Sequence, residues 1–258
     1  MRKKWLLFIV LIGLIVFLSG CTSSVQNLTP ITAESTGFWN KYFVYPFSAL
    51  LTFFADLMNS YGMSIIVVTV IIRLILLPLN VKQIRSSKAM QDIQPELKEI
   101  QKKYSSKDAN TQQKLQQETM ALFQKHGVNP LAGCLPLLVQ MPILIGMYQA
   151  IMRTEAIRQG EFLWFQMGSP DPYFILPIIA AGATFLQQKL MMSGNPAANN
   201  PQMTLMLYMM PIMIGVFAIM FPAALALYWV VGNVFMVAQT LFIRKPMMKD
   251  ASTGGDKK

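Results

Sequence analysis

The chain has 258 residues, 53% of them hydrophobic and 13% charged, with a mean hydropathy of +0.42 and a formal net charge of +10. Ordinary soluble domains carry about 25% charged residues, so this composition is that of an integral membrane protein, with no length left over for a large soluble domain. Two cysteines and one histidine, far apart, offer neither a disulfide framework nor a metal cluster; no cofactor and no enzymatic chemistry are expected.

In chain order, residues 1–20 combine a basic start (Arg2, Lys3, Lys4), an apolar run from Trp5 to Leu18 and the small pair Ser19-Gly20, the outline of a secretory signal. Leu18-Ser19-Gly20-Cys21 also resembles a bacterial lipobox, in which Cys21 would be lipidated and become the mature N-terminus, outside the cytoplasm. Removal of this segment takes away three positive charges. Residues 21–41 are Ser/Thr-rich and are expected to be an extracytoplasmic tether. Residues 42–60 are aromatic-rich but short, with Pro46 and Asp56 inside, and suit an amphipathic helix in the outer interface; a plain lead-in to the first span is the alternative.

Residues 62–80, GMSIIVVTVIIRLILLPLN, form an apolar stretch of membrane length interrupted by Arg73. A guanidinium stays charged in a protein and costs about 2.5–3.5 kcal/mol near the centre of a bilayer helix on insertion scales. Asn80 is seven residues on, which leaves Arg73 about 10 Å from that end of the helix. Either the arginine snorkels to nearby headgroups, or it faces a wet cavity inside the bundle and attracts something acidic.

Residues 81–128 turn polar. Ile93, Leu97, Ile100 and Tyr104 recur at four, three and four, an apolar stripe on a charged helix, and a second helix through Leu115, Leu122 and Phe123 ends near Gly127, so a cytoplasmic helical hairpin is expected. Residues 131–152 read as the second span, with Pro136, Pro142 and the polar Gln140 inside it. Residues 153–172 read as an outer loop with Trp164 and Phe165 at the interface. The third span is expected over 173–190, with Gln187 and Gln188 near its end, and a turn-rich loop over 191–202. Between Leu205 and Ile243 no residue is charged. One helix of that length would be about 58 Å long against a hydrocarbon core of about 30 Å. The run must therefore fold back at Phe221-Pro222, giving spans at 203–220 and 223–243, then a basic tail over 244–258.

With the mature N-terminus outside, five spans put fifteen Lys and Arg on the cytoplasmic side against three outside, in agreement with the positive-inside rule. That distribution explains the net charge through topology and lipid headgroups, and nucleic acid is not expected as a direct partner. Inside the membrane stand one permanent cation, Arg73, and uncharged amides at Gln140, Gln187, Gln188, Asn233 and Gln239. There is no carboxylate or histidine relay of the kind a proton-coupled pump uses. For any one glutamine an interhelical hydrogen bond is the plain alternative. Methionine is the second anomaly, 20 in all, six of them in or beside 203–220; such side chains serve as filler or as an adaptable apolar surface.

The stretch Asn129-Pro130-Leu131-Ala132-Gly133-Cys134-Leu135-Pro136-Leu137-Leu138-Val139-Gln140-Met141-Pro142 resembles the second-span motif of the YidC/Oxa/Alb membrane protein insertases. The Arg73 span, and Leu227-Tyr228-Trp229-Val230-Val231-Gly232-Asn233 with Gln239, resemble that family's first and fifth spans. The similarity covers roughly residues 42–245 in order, and the lipobox resembles the Gram-positive branch. Cys134 reads as a small packing residue.

The resemblance implies an all-α integral membrane protein of the bacterial plasma membrane, with five transmembrane helices around a hydrophilic groove open to the cytoplasm and to lipid. Arg73, Gln140, Gln187, Trp229 and Asn233 would line that groove. It implies an insertase and chaperone that draws in acidic or polar tails of nascent membrane proteins and releases their apolar segments into the bilayer, alone or with the Sec translocon. The ribosome–nascent chain complex is a further candidate partner, but relatives that dock there use long basic tails and residues 244–258 are short. Two other classes stay open on residues alone: a small-anion channel or carrier using Arg73 as its selectivity charge, against which the absence of repeat symmetry speaks, and a lipoprotein scaffold.

Overall fold

The computed structural model describes residues 29–105, 108–129, 135–193 and 201–249. The signal segment, Cys21, most of the tether, part of the 129–142 motif including Cys134, and the end of the tail lie outside the described residues. What is described is almost entirely helical.

A wide π-helical turn, Asn40–Val44, leads into α1, Tyr45–Met58. Val44, Ser48, Leu51 and Ala55 are buried while Tyr42, Phe53 and Leu57 are exposed, so one face at four-three-four spacing packs on the bundle and the other presents aromatic and aliphatic side chains outward. Asn59 ends α1 in the left-handed conformation, and Ser60 caps the next helix by accepting from Met63 N, a polar pair well suited to stopping one helix and starting another.

That next helix, α2, runs Tyr61–Asp92. It continues well past the apolar stretch that ends at Asn80, because Val81 to Asp92 contains good helix formers and no breaker. At about 48 Å it is longer than the hydrocarbon core. The hairpin follows as α3, Gln94–Lys103, and α4, Ala109–Lys125, the latter capped by Asp108 accepting from Thr111 N. Ile93, Leu122 and Val128 form a small separate core with Leu97, Ile100 and Phe123 against it.

Helix α5 spans Leu135–Arg153. Pro136 therefore falls in its first turn, where a missing N–H costs nothing, and Pro142 alone lies inside the helix. The segment after it holds a short helix α6, Glu155–Gln159, and a two-residue antiparallel pair, β1 (Glu161–Phe162) and β2 (Phe165–Gln166). Phe165 is buried in the main core, and Trp164 beside it is half-exposed. Phe162 sits where a Cβ on Gly62 would be 2.0 Å from its ring, so only glycine lets the pair seat on α2.

Asp171 is 2% exposed and lies four residues ahead of α7, Ile175–Met192. Its carboxylate accepts from Trp164 Nε1 (3.0 Å), Tyr173 N (3.1 Å) and Leu176 N (2.7 Å). Helix α8, Pro201–Met220, is apolar all round and exposes Leu205, Ile212 and Met220 among others. The helical run breaks at Phe221-Pro222, and α9 follows as Ala223–Gln239. Ala223 N and Ala224 N donate to the carbonyls of Ser169 and Met167, satisfying two amides that a helix start leaves without partners. Small residues at 223, 224 and 226 are fully buried, as close approach between membrane helices requires. A second π-helical turn, Thr240–Arg244, continues into α10, Lys245–Lys249.

Helix α7 packs against both α8 and α9, α9 against α2, and α1 against α2 and α5. Among the described residues, three helices are long and apolar enough to cross a membrane, Tyr61–Asp92, Ile175–Met192 and Ala223–Met247; Thr204–Met220 is a shorter apolar helix.

Candidate functional site

A cavity of about 260 Å³ opens between α2, α5, α7 and α9. Helix α2 supplies one wall through Arg73, Leu76, Asn80, Gln83 and Ser87. These recur at intervals of three and four and so share one face. Gln140 enters from α5, Gln187 and Met191 from α7, and Gln239, Thr240 and Arg244 from the end of α9 and the turn beyond it. The volume is enough for several waters.

Arg73 has no hydrogen-bond or ion-pair partner among the described residues; the ion pairs found there are those of Glu96 with Lys125 and His126, in the hairpin. Its guanidinium instead lies against the backbone of α9. An ideal Cβ on Gly232 would be 2.6 Å from Nη2 and 3.4 Å from Cζ, so the missing side chain at 232 is what admits the cation. The guanidinium thus lines a hollow that the Gln140 and Gln187 side chains share.

Of the other residues singled out from sequence, Gln140 and Gln187 join Arg73 in the lining. Gln140 Nε2 donates to the Tyr228 hydroxyl at 2.6 Å, tying α5 to α9, and Gln187 Nε2 contacts Met191 Sδ at 2.7 Å. Trp229 and Asn233 are not in the lining. Trp229 packs on the main core with its ring edge-on to Phe221, and Asn233 Nδ2 donates to Thr184 Oγ1 at 2.7 Å, while that hydroxyl donates to Ala180 O. Asn233 is thus a satisfied interhelical tie. Gln239 faces Asn80 across the cavity, Oε1 to Nδ2 at 3.5 Å.

Two groups of lining residues were missed from sequence. Asn80, Gln83 and Ser87 read from sequence as the boundary and water-borne part of the chain, yet they continue the Arg73 face; their three-four spacing from residue 73 is the available signal. Arg244 reads from sequence as the first residue of the basic tail, whereas it is 6% exposed at the end of the π-helical turn, five residues after Gln239, and donates through Nη1 to the Met191 carbonyl. A second cavity of about 280 Å³ adjoins the first, sharing Ser87, Gln187, Met191 and Arg244 and otherwise walled by Gln188, Met192, Met206 and Met210. Gln188 Nε2 contacts Met210 Sδ, and its Oε1 is buried without a partner.

These features define a helical membrane protein built around an internal, cation-lined hollow. Residues 53–251 match the family model described as 60Kd inner membrane protein. The chain is 61% identical over its whole length to the membrane protein insertase MisCA of Bacillus subtilis, covering 99% of that protein. Over 96% of its length it is 66% identical to the membrane protein insertase YidC of Oceanobacillus iheyensis, covering 99% of that one too. Among solved structures, an active YidC insertase crystal structure with the first transmembrane domain resolved aligns with a TM-score of 0.63 at 25% identity. That alignment covers 80% of this chain and 47% of the other, so the chain spans about half the length of that solved protein. The chain belongs to the 60Kd inner membrane protein family, the family of the YidC insertases.

Proposed function

We propose that this chain, a multi-pass membrane protein insertase of the plasma membrane, uses the Arg73 cavity to draw in the acidic or polar tail of a nascent membrane protein. The observation that carries this reading is the unpaired guanidinium of Arg73 facing a hollow lined by Gln140 and Gln187. A carboxylate entering there meets a permanent cation in surroundings of low dielectric, where attraction is stronger than in bulk water. The apolar segment that follows moves out along α7 and α9, past Trp229 and Asn233, and burial in lipid drives the step. No covalent chemistry is needed. The anion-channel alternative finds no support in the relatives, which are named as insertases.

Five spans with the hairpin and C-terminus in the cytoplasm, and a lipidated Cys21 outside, complete the reading; the charge asymmetry of the loops supports it. The α3–α4 hairpin, with its solvated charges, is the surface for partners such as the Sec translocon or a ribosome–nascent chain complex. The test is reconstitution: the purified chain in liposomes should integrate a small single-span protein with an acidic translocated tail. Anion flux without integration would overturn the proposal.

A further inference from the structure

Arg244 is a second permanent cation turned into the same hollow. It is 6% exposed, and no described carboxylate pairs with it. Among the described residues it donates to one neutral carbonyl, that of Met191 in the last turn of α7. A guanidinium carries five donors, and one bond to a helix-end carbonyl leaves most of that capacity unused. Nearby, the Gln83 amide nitrogen is buried in the lining of the first cavity without an acceptor. Two cations and an orphan donor thus face one space with no described carboxylate among them, and a cation as buried as Arg244 is costly until an anion joins it.

The two arginines stand apart along the hollow. Arg244 shares the second cavity with Ser87, fourteen residues along α2 from Arg73, which is about 21 Å of helix. Allowing for the reach of both side chains, the carboxylates they hold would be about three to six residues apart on an extended chain.

We propose that Arg244 is a second anion-binding residue of the groove, holding one carboxylate of an incoming tail near the end of α9 while Arg73 holds another farther along α2. The protein thereby favours tails bearing two spaced acidic side chains. This rests on the groove-capture reading given above. Peptide carboxylates are favoured over lipid phosphate because the guanidinium points into the hollow it shares with Arg73 and is shielded from the outer surface.

The test uses full-length chain in proteoliposomes and single-span substrates whose tails carry either one aspartate or two placed five residues apart. Wild type should insert the two-aspartate tail several-fold faster. Arg244→Gln keeps an N–H for the Met191 carbonyl and removes the charge; it should bring that ratio to about one, whereas Arg244→Lys should preserve it. The ratio is internal to each variant and so independent of how much protein folds. A ratio that survives Arg244→Gln, or an effect that follows the anionic-lipid content of the vesicle regardless of the tail, overturns the proposal. Arg73→Ala is run in parallel: if it leaves the one-aspartate tail unaffected, the groove-capture reading itself fails, a result distinct from failure at Arg244 alone.

Discussion

The Arg73 guanidinium occupies space that any side chain on Gly232 would claim, with Nη2 only 2.6 Å from the ideal Cβ position. The glycine on α9 and the arginine on α2 therefore act as one unit: the first sets where the charge of the second can rest. Gly232→Ala should push the flexible end of Arg73 aside without disturbing the helix backbones. Insertion of an acidic-tailed substrate is expected to fall several-fold while the melting temperature in nanodiscs changes little. Unchanged insertion would separate the position of the charge from its use.

Removing the charge altogether should be more severe. Arg73→Ala is expected to reduce insertion of acidic-tailed substrates by at least about tenfold, since a charge pair 4 Å apart is worth about 4 kcal/mol at an effective dielectric of about 20. Arg73→Lys should retain most activity, because transient attraction needs charge more than the planar fork. Wild-type rates for the alanine variant at normal protein level would remove the cation from the mechanism.

Asp171 bears on stability alone. Asp171→Ala strands three donors, each worth about 1–3 kcal/mol when left unsatisfied, and should destabilise the fold by about 3 kcal/mol. Asp171→Asn keeps one acceptor for Trp164 and Tyr173 but turns an NH₂ toward Leu176 N, so an intermediate loss is expected. Thermal unfolding of the purified variants gives the order; equal melting temperatures for all three proteins would deny these three hydrogen bonds a part in stability.

The hairpin should respond to acid. Partial desolvation pushes the Glu96 carboxyl up, but the hydrogen bond and charge of His126, with Lys125, outweigh it and hold the carboxyl below its ordinary range. Glu96 Oε1 lies 3.2 Å from His126 Nε2, and Oε2 3.6 Å from Lys125 Nζ. A lowered folded value means the contact stabilises the α3–α4 pair above the ordinary carboxylate range and is lost as pH falls through the lowered value. Spin labels at 102 and 117 should show a broader distance distribution in acid, and Glu96→Gln should give that breadth already at neutral pH. An acid-insensitive distribution in wild type would deny the pair any role in docking.

Much of the helical plan was legible in the chain. The three-four stripe Ile93, Leu97, Ile100 forms the small hairpin core because a helix in water must segregate its apolar side chains. Phe221-Pro222 breaks the long uncharged run because the proline ring disfavours helical backbone at the residue before it, and Pro222 then stands at the start of α9, where its missing N–H costs nothing. Arg73, Gln140 and Gln187 were identifiable because polar groups stand out against an apolar background.

What the sequence settled by itself was the membrane-protein class, the charge of Arg73 within an apolar helix and the apolar stripe Ile93, Leu97, Ile100, all of which follow from side-chain chemistry and short-range spacing. The tertiary structure decided which faces look inward. It drew Arg244 out of the apparent tail into the hollow, left Trp229 and Asn233 outside the lining, and set Gly232 beneath Arg73. Lipid is as apolar as leucine, so a membrane helix carries no hydrophobic periodicity to mark its buried side, and its rotation about its own axis is fixed only by the helices packed against it.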